Sequence, residues 1–369
     1  VAAMYSFPAL PAPQPAARTR RVPGHGPAEV LRPRSGRAEV WAESPLQLLS
    51  AVEAHSAGLL GRQTVVRPRA GAGMAGTVAL LRDQAPAGLT IEDPPAGPAQ
   101  ETAAAPPGRP DRWVAGDAYS GQVQAGLLRG LDADELVLLD DGLASLKLLA
   151  TLVQDRPAAL TRPRSRATAP RRMLGLASWH RLRRLARQGR LLVVTALPVP
   201  DAVERRFRAL GGKLERHRFE WLGTRPVTEI IREPTVLVGS AMPADGLIHP
   251  GPYIEWVRSL TEDGPVSYFP HRRETPQLLE ALAAHPLIRV NEHTVPVEMR
   301  LRGLQPGQVV RSLPSTVLAS LRLVLAPDGV RLRGHDVPGH WWTPQASAEL
   351  RRHLGSCLDE AAAGQPGRP

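Results

Sequence analysis

Short apolar strand candidates alternate with amphipathic helix candidates along this chain, and the alternation runs in two successive blocks. The clearest strand, at 135–139, carries Leu136, Val137, Leu138 and Leu139, apolar on both faces. Successive strand residues point to opposite sides, so such a run needs cover on both, which is the environment inside a parallel sheet. The first block has further strand candidates at 38–42, 63–66 and 113–115. Its helix candidates begin at Ser44-Pro45, where Leu46, Leu49 and Val52 mark an apolar face, and continue at 76–83, 120–129 and 144–152. The second block places strands at 191–196, 235–239, 266–269, 287–290, 309–312 and 329–333, and helices at 202–210, 251–260, 276–284, 315–323 and 346–361. Repeated strand–helix alternation predicts two α/β domains with mainly parallel sheets. The expected division is a disordered basic arm at 1–36, a first domain at 37–155 and a connector at 156–190 with a helix near 178–187. A second domain at 191–345 and a terminal helix and tail at 346–369 complete it.

Composition narrows the setting. No apolar run approaches the ~18–20 residues that span a bilayer, and residues 1–27 mix Pro, Ala and Arg without a signal-peptide core. These features predict a cytoplasmic protein, at the inner membrane face if it associates with membrane at all. The lone Cys357 rules out an internal disulfide and a multi-thiolate metal site. The net charge of +11 suits a polyanion, but apart from Lys147 and Lys213 its basic residues are all Arg. That skew, with abundant Ala, Pro and Gly, is what a GC-rich genome produces. Much of the Arg falls in the arm and connector without interleaved aromatics, so no nucleic-acid partner is expected.

Loops after parallel strands gather ligands, so residues there are the candidates. Asp140-Asp141-Gly142 follows the best strand; two close carboxylates push one pKa upward and suit a general base. The other reading is a helix cap at Asp141. Pro270-His271-Arg272-Arg273-Glu274 sets an imidazole and two guanidiniums at a strand–helix junction, a phosphate-binding chemistry, with Glu274 holding an Arg or His in place. Ser315-Thr316 opens a helix, where hydroxyls and backbone N–H groups receive anions. Pro296-Val297-Glu298 offers a carboxylate to a ribose diol, and Val238-Gly239-Ser240 a close backbone approach.

Rival motifs are weaker. Gly71-Ala72-Gly73-Met74-Ala75-Gly76 has the letters of a dinucleotide fingerprint, but Arg67-Pro68-Arg69-Ala70 separates it from its strand. Asp132-Ala133-Asp134 precedes its strand, at the wrong end for a metal-held ligand. No Walker A loop occurs, and the histidines lack metal-ligand spacing.

In this order and in these halves, Asp140-Asp141-Gly142, Pro270–Glu274 and Ser315-Thr316 resemble the motifs of bacterial GT-B sialyltransferases and polysialyltransferases. Glu43-Ser44-Pro45-Leu46-Gln47, Gly116-Asp117, Val238-Gly239-Ser240 and Pro296-Val297-Glu298 are similar to the family's further landmarks, across about residues 38 to 325. Two positions depart from it: proline precedes His271 instead of following it, and the hydroxyl pair is Ser-Thr instead of Ser-Ser. The resemblance implies a GT-B fold, two Rossmann-like domains facing each other across a cleft. It implies inverting, metal-independent transfer of sialic acid or a related sugar acid from a CMP-activated donor to a carbohydrate or glycolipid acceptor. No cofactor is implied. Asp140, Asp141 and His271 would be catalytic, and Gly239, Arg272, Glu298, Ser315 and Thr316 would bind the nucleotide. A GT-B transferase or epimerase using another nucleotide sugar, or a basic polyanion-binding protein, remain the alternative functions. Because a Pro/Arg-rich segment buries little apolar surface, removing residues 1–36 is expected to leave the melting temperature nearly unchanged, as calorimetry would read it.

Overall fold

A computed structural model describes residues 36–95, 109–130, 133–140, 142–162, 167–227, 229–292, 295–325, 329–348, 350–352 and 354–355. The strands are β1 (Arg37–Ala42), β2 (Gln63–Pro68), β3 (Leu89–Ile91), β4 (Arg112–Ala115), β5 (Glu135–Leu138) and β6 (Leu191–Thr195). They continue as β7 (Lys213–Arg216), β8 (Thr235–Val238), β9 (Val266–Phe269), β10 (Ile288–Val290), β11 (Val309–Ser312) and β12 (Arg331–Gly334). They form two sheets, β3-β2-β1-β4-β5-β6-β7 and β10-β9-β8-β11-β12, with every strand pairing parallel. Both lie in one compact unit, Pro33–Pro369.

Each sheet is doubly wound. Strand order reverses between β1 and β4 in the first and between β8 and β11 in the second. Every residue of β5, β6, β8 and β9 is buried. In β5, Val137 joins the core on one face with Val40, Leu49 and Val194, while Leu136 and Leu138 join the other with Trp179 and Val193. The unbroken apolar run in the sequence is thus used on both faces. The two Rossmann-like sheets make the GT-B architecture. No helix among the described residues is long and apolar enough to cross a membrane.

The expected domain boundary needs correction. Residues 191–196 do not open the second sheet: β6 pairs with β5 through Leu136↔Leu191, Val137↔Leu192 and Leu138↔Val193. Nor is 156–190 a connector between domains. Its helix, Ala169–Arg187, covers the first sheet, burying Trp179, Leu182 and Leu185. Trp179 Nε1 donates to the Thr151 carbonyl at 3.1 Å. The crossing between sheets comes later, between Arg216 and Thr235. Apolar patterning detects a strand without saying which sheet it joins. The short edge strands β3 and β7 escaped the pattern because they bury only two residues and one residue respectively. At the other end, the Gly36 carbonyl accepts from Arg62 N at 3.1 Å, so the residue assigned to the arm is already part of the fold. The rest of the expected arm, 1–35, lies outside the described residues, as does most of the terminal helix after 355.

The crossing segment is held by both halves. Glu53, on the helix Pro45–Ser56, accepts from Trp221 N (3.1 Å) and Leu222 N (2.8 Å) at the start of the short helix Glu220–Gly223. Arg302, beyond β10, donates to the carbonyls of Gly223 (3.3 Å) and Arg225 (2.5 Å) at its end. Acid at the helix start and base at its end is the favourable sense of the helix dipole. Arg300 adds a two-pronged pair with Glu229, both contacts 2.7 Å. Glu53→Ala would strand two buried amides, each costing about 1–3 kcal/mol. A loss of roughly 2–5 kcal/mol in urea unfolding is expected, against a much smaller loss for Arg225→Ala, whose ring contact with Trp221 is at the surface.

Candidate active site

Ligands in open α/β sheets sit beyond the carboxyl ends of the strands, where strand order reverses. In the first sheet this point lies between Glu43-Ser44, after β1, and Gly116-Asp117, after β4. Ser44 caps the helix Pro45–Ser56 by accepting from Gln47 N, and Gln47 Oε1 accepts from Glu43 N at 2.7 Å. A Cβ at Gly116 would overlap the Gln47 side chain, so glycine is what lets the two loops meet. Glu43 also pairs with Arg69 (3.1 Å) and accepts from Ser120 Oγ (2.7 Å). Asp117 is buried and paired with Arg162. A small pocket beside it is lined by Gly116, Asp117, Tyr119, Leu139, Ala144 and Ser145.

One strand further along, Asp140 follows β5 and is only 4% exposed. Its Oδ2 accepts from Thr195 Oγ1 (2.9 Å) and Ala196 N (3.1 Å), and its Oδ1 from Gly142 N (3.1 Å). Burial raises its pKa above the usual carboxylate value, and the hydrogen bonds, including one from Ser145, oppose that rise. Asp141 lies outside the described residues.

In the second sheet the reversal lies between Gly239-Ser240, after β8, and Leu313-Pro314-Ser315-Thr316, after β11. Ser315 Oγ accepts from Val317 N (3.3 Å) at the start of the helix Val317–Leu325. His271 follows β9 on the other side of β8, so its loop and the Ser315 helix start lie two strands apart, about 9–10 Å. His271 Nδ1 accepts from Arg273 N at 3.2 Å, which leaves Nε2 as the protonated ring nitrogen. Arg272 is exposed, and Arg273 pairs with Asp245 at 2.8 Å.

Glu274 ties these loops together. Its Oε1 accepts from Ser240 N (2.8 Å) and Tyr268 OH (2.7 Å), and Tyr268 OH lies 2.9 Å from Tyr253 OH. A Cβ on Gly239 would come within 2.5 Å of Glu274 Oε1 and 2.9 Å of His271 N. Glycine at 239 is therefore a packing requirement of the Glu274 link. The expectation that Glu274 holds an Arg or His needs correction: its partners are a backbone amide and a tyrosine. Burial pushes it up to about 7.

Glu298 brings the halves together. It is 4% exposed, on the short helix Val297–Arg300, and its Oε1 accepts from Ser320 Oγ at 2.6 Å. Burial raises its pKa, and the charge of Asp140, from the other sheet, raises it further. Beside them, Thr316 Oγ1 lies 2.8 Å from where a Cβ on Gly142 would stand, and Gly142 has φ +67°. Asp140, Gly142, Glu298 and Thr316 thus converge from both sheets. His271, Arg272 and Gly239 belong to the neighbouring loops of the second sheet. The rival Asp-x-Asp does not approach this edge: Asp134 pairs with Arg109 at the amino end of β5, and Asp132 lies outside the described residues.

No family model matches the chain, and no curated protein matches it. Among solved structures it is similar to a 2,6-sialyltransferase of Photobacterium sp. JT-ISH-224 in complex with CMP and lactose. That match has a TM-score of 0.48 and 10% identity, covering 88% of this chain and 76% of the other. An α-2,3-sialyltransferase of Photobacterium phosphoreum matches with TM-score 0.44 and 10% identity over 90% of this chain and 100% of that one. The E. coli heptosyltransferase WaaC with ADP gives 0.43 and 13% over 89% and 99%.

Carboxyls raised by burial stabilise the fold most while protonated. Glu274, ordinarily near 4.5 and here about 7, contributes stability that is full below about 4.5 and lost as pH rises through 7. The loss is on the order of 3 kcal/mol. Glu274→Gln keeps an acceptor for Ser240 N, so its melting temperature should fall less between pH 5 and 8 than that of the unaltered chain.

Proposed function

We propose that this chain is an inverting, metal-independent glycosyltransferase that moves sialic acid or a related sugar acid from a CMP-activated donor to a carbohydrate or glycolipid acceptor in the cytoplasm. The observation that carries the reading is the meeting of Asp140 with Glu298, and of Gly142 with Thr316, where the carboxyl edges of the two sheets approach.

Asp140 is the base. Its burial disfavours the charged form, so it takes a proton more readily than an exposed aspartate. It removes the proton of the acceptor hydroxyl, and that oxygen bonds to the anomeric carbon of the sugar acid from the face opposite CMP. The bond between that carbon and the phosphate oxygen breaks, and its electron pair leaves with CMP. His271 donates from Nε2 to the departing phosphate, a role consistent with the hydrogen bond that Nδ1 accepts. Ser315 and Thr316 bind the same phosphate at a helix start, where the amide of Val317 now turns to the Ser315 hydroxyl. Glu298 accepts from the ribose, Gly239 lets the backbone approach the nucleotide, and Arg272 supplies charge at the rim.

Two experiments test this. Titration calorimetry in EDTA should show CMP binding more tightly than UMP, AMP or GMP. His271→Ala and a Ser315→Ala/Thr316→Ala double variant should each weaken it ~10–100-fold, the worth of a charge-assisted hydrogen bond. Tighter UMP or GMP binding, or a strict metal requirement, would reassign the donor. Asp140→Asn should keep CMP affinity and lose transfer by ~10²–10⁴-fold in a product assay; full turnover in that variant would remove Asp140 from catalysis.

A further inference from the structure

The edge strand β12 carries Arg331, Arg333 and, just past its end, His335 at alternate positions, so all three face the same side of the sheet. Beside them on β11 stands Arg311, whose register partner is Arg333. Like charges directly opposite each other on neighbouring strands are destabilising. Among the described residues the repulsion is only weakly met. The carboxylates that act on Arg311 and His335 are Asp263, 71% exposed and 3.4 Å from Arg311 Nη2, and the exposed Asp336.

The group is also partly withdrawn from water. The Arg311 side chain is 13% exposed, and its Nε is buried without a hydrogen-bond partner. Its Nη1 donates to His335 Nε2 at 3.2 Å, which keeps the imidazole neutral, and burial with the Arg311 and Arg333 charges holds His335 below its ordinary value. Trp256, half-buried on the helix Pro250–Ser259, closes one side, 5.2 Å from the His335 ring and 6.0 Å from Trp341. Arginines with an adjacent tryptophan combine two recognitions: guanidinium forks for oxyanions and an aromatic face for the apolar side of a sugar ring. Alternate strand residues repeat every 6.6–6.8 Å or so, which spaces the cationic groups along a chain-like ligand. The row ends where His335 N donates to the Ser312 carbonyl at 2.9 Å, at the same carboxyl edge as Ser315 and Thr316.

We infer that Arg311, Arg331, Arg333 and Trp256 form a second binding site, on the outer edge of the second sheet, for a carboxylate-bearing glycan chain. The row of like charges is relieved when carboxylates lie along it, and its course leads a bound chain toward the carboxyl edge of the sheet. This inference does not depend on which nucleotide sugar the cleft takes.

The test uses the full chain and labelled polygalacturonate, with neutral dextran, duplex DNA and phosphatidylglycerol-containing vesicles alongside, at low and high salt. Polygalacturonate should bind with an affinity that falls as salt rises, and dextran should not bind. Arg331→Ala/Arg333→Ala should weaken polygalacturonate at least tenfold, and Trp256→Ala should weaken it several-fold. The double variant removes repulsion and should melt no lower than the unaltered chain. Its CMP affinity should also be unchanged. Equal polygalacturonate affinity in the double variant would overturn the inference. So would tighter binding of DNA or vesicles through the same arginines, or loss of CMP affinity with them, which would place these residues in the nucleotide site.

Discussion

An all-parallel sheet cannot leave a face to water, and that constraint organises this molecule. Its central strands β5, β6, β8 and β9 are buried on both sides, so the connections must cross back over a face and cover it as helices. Val137 needs one covering layer and Leu136 and Leu138 need the other. Once both faces of the central strands are closed, their ends are left open to polar chemistry. The candidate groups of the cleft gather there: Asp140 after β5, Gly239 after β8, His271 after β9 and Ser315 after β11.

Burying carboxylates has a chemical cost. Asp140, Glu298, Glu274 and Glu53 are all withdrawn from water, and burial raises each of them. Each is held by donors that oppose the rise: Thr195 and Ala196 for Asp140, Ser320 for Glu298, Ser240 and Tyr268 for Glu274, Trp221 and Leu222 for Glu53. The four differ in what they join. Glu53 fastens a crossing helix, Glu274 fastens two neighbouring loops, and Asp140 and Glu298 stand on opposite sheets close enough for one charge to act on the other.

The sequence was most legible where one strand's pattern was enough. Leu136–Leu139 identified a doubly covered strand, and Ser44-Pro45 marked a helix start that the hydrogen bond to Gln47 N realises. It was least legible where meaning depends on neighbours. Nothing in Leu191–Thr195 tells which sheet it will join, and Lys213–Arg216 shows only one buried side chain. For the site, residue types after strands nominated Asp140, His271 and Ser315. The partners of Glu274 were hidden because a hydrogen bond to Ser240 N spans 34 residues. The reversal point beside Glu43 and Asp117 was hidden too, since strand order is a property of the whole sheet.

Gly142 turns at φ +67° with no side chain, and Thr316 from the other sheet occupies the room one would need. A methyl group at 142 would meet the Thr316 hydroxyl and force it to turn away, on a backbone already held at a positive φ that side chains rarely adopt. The contact between a turn of one sheet and a helix start of the other therefore rests on the absence of a single carbon atom.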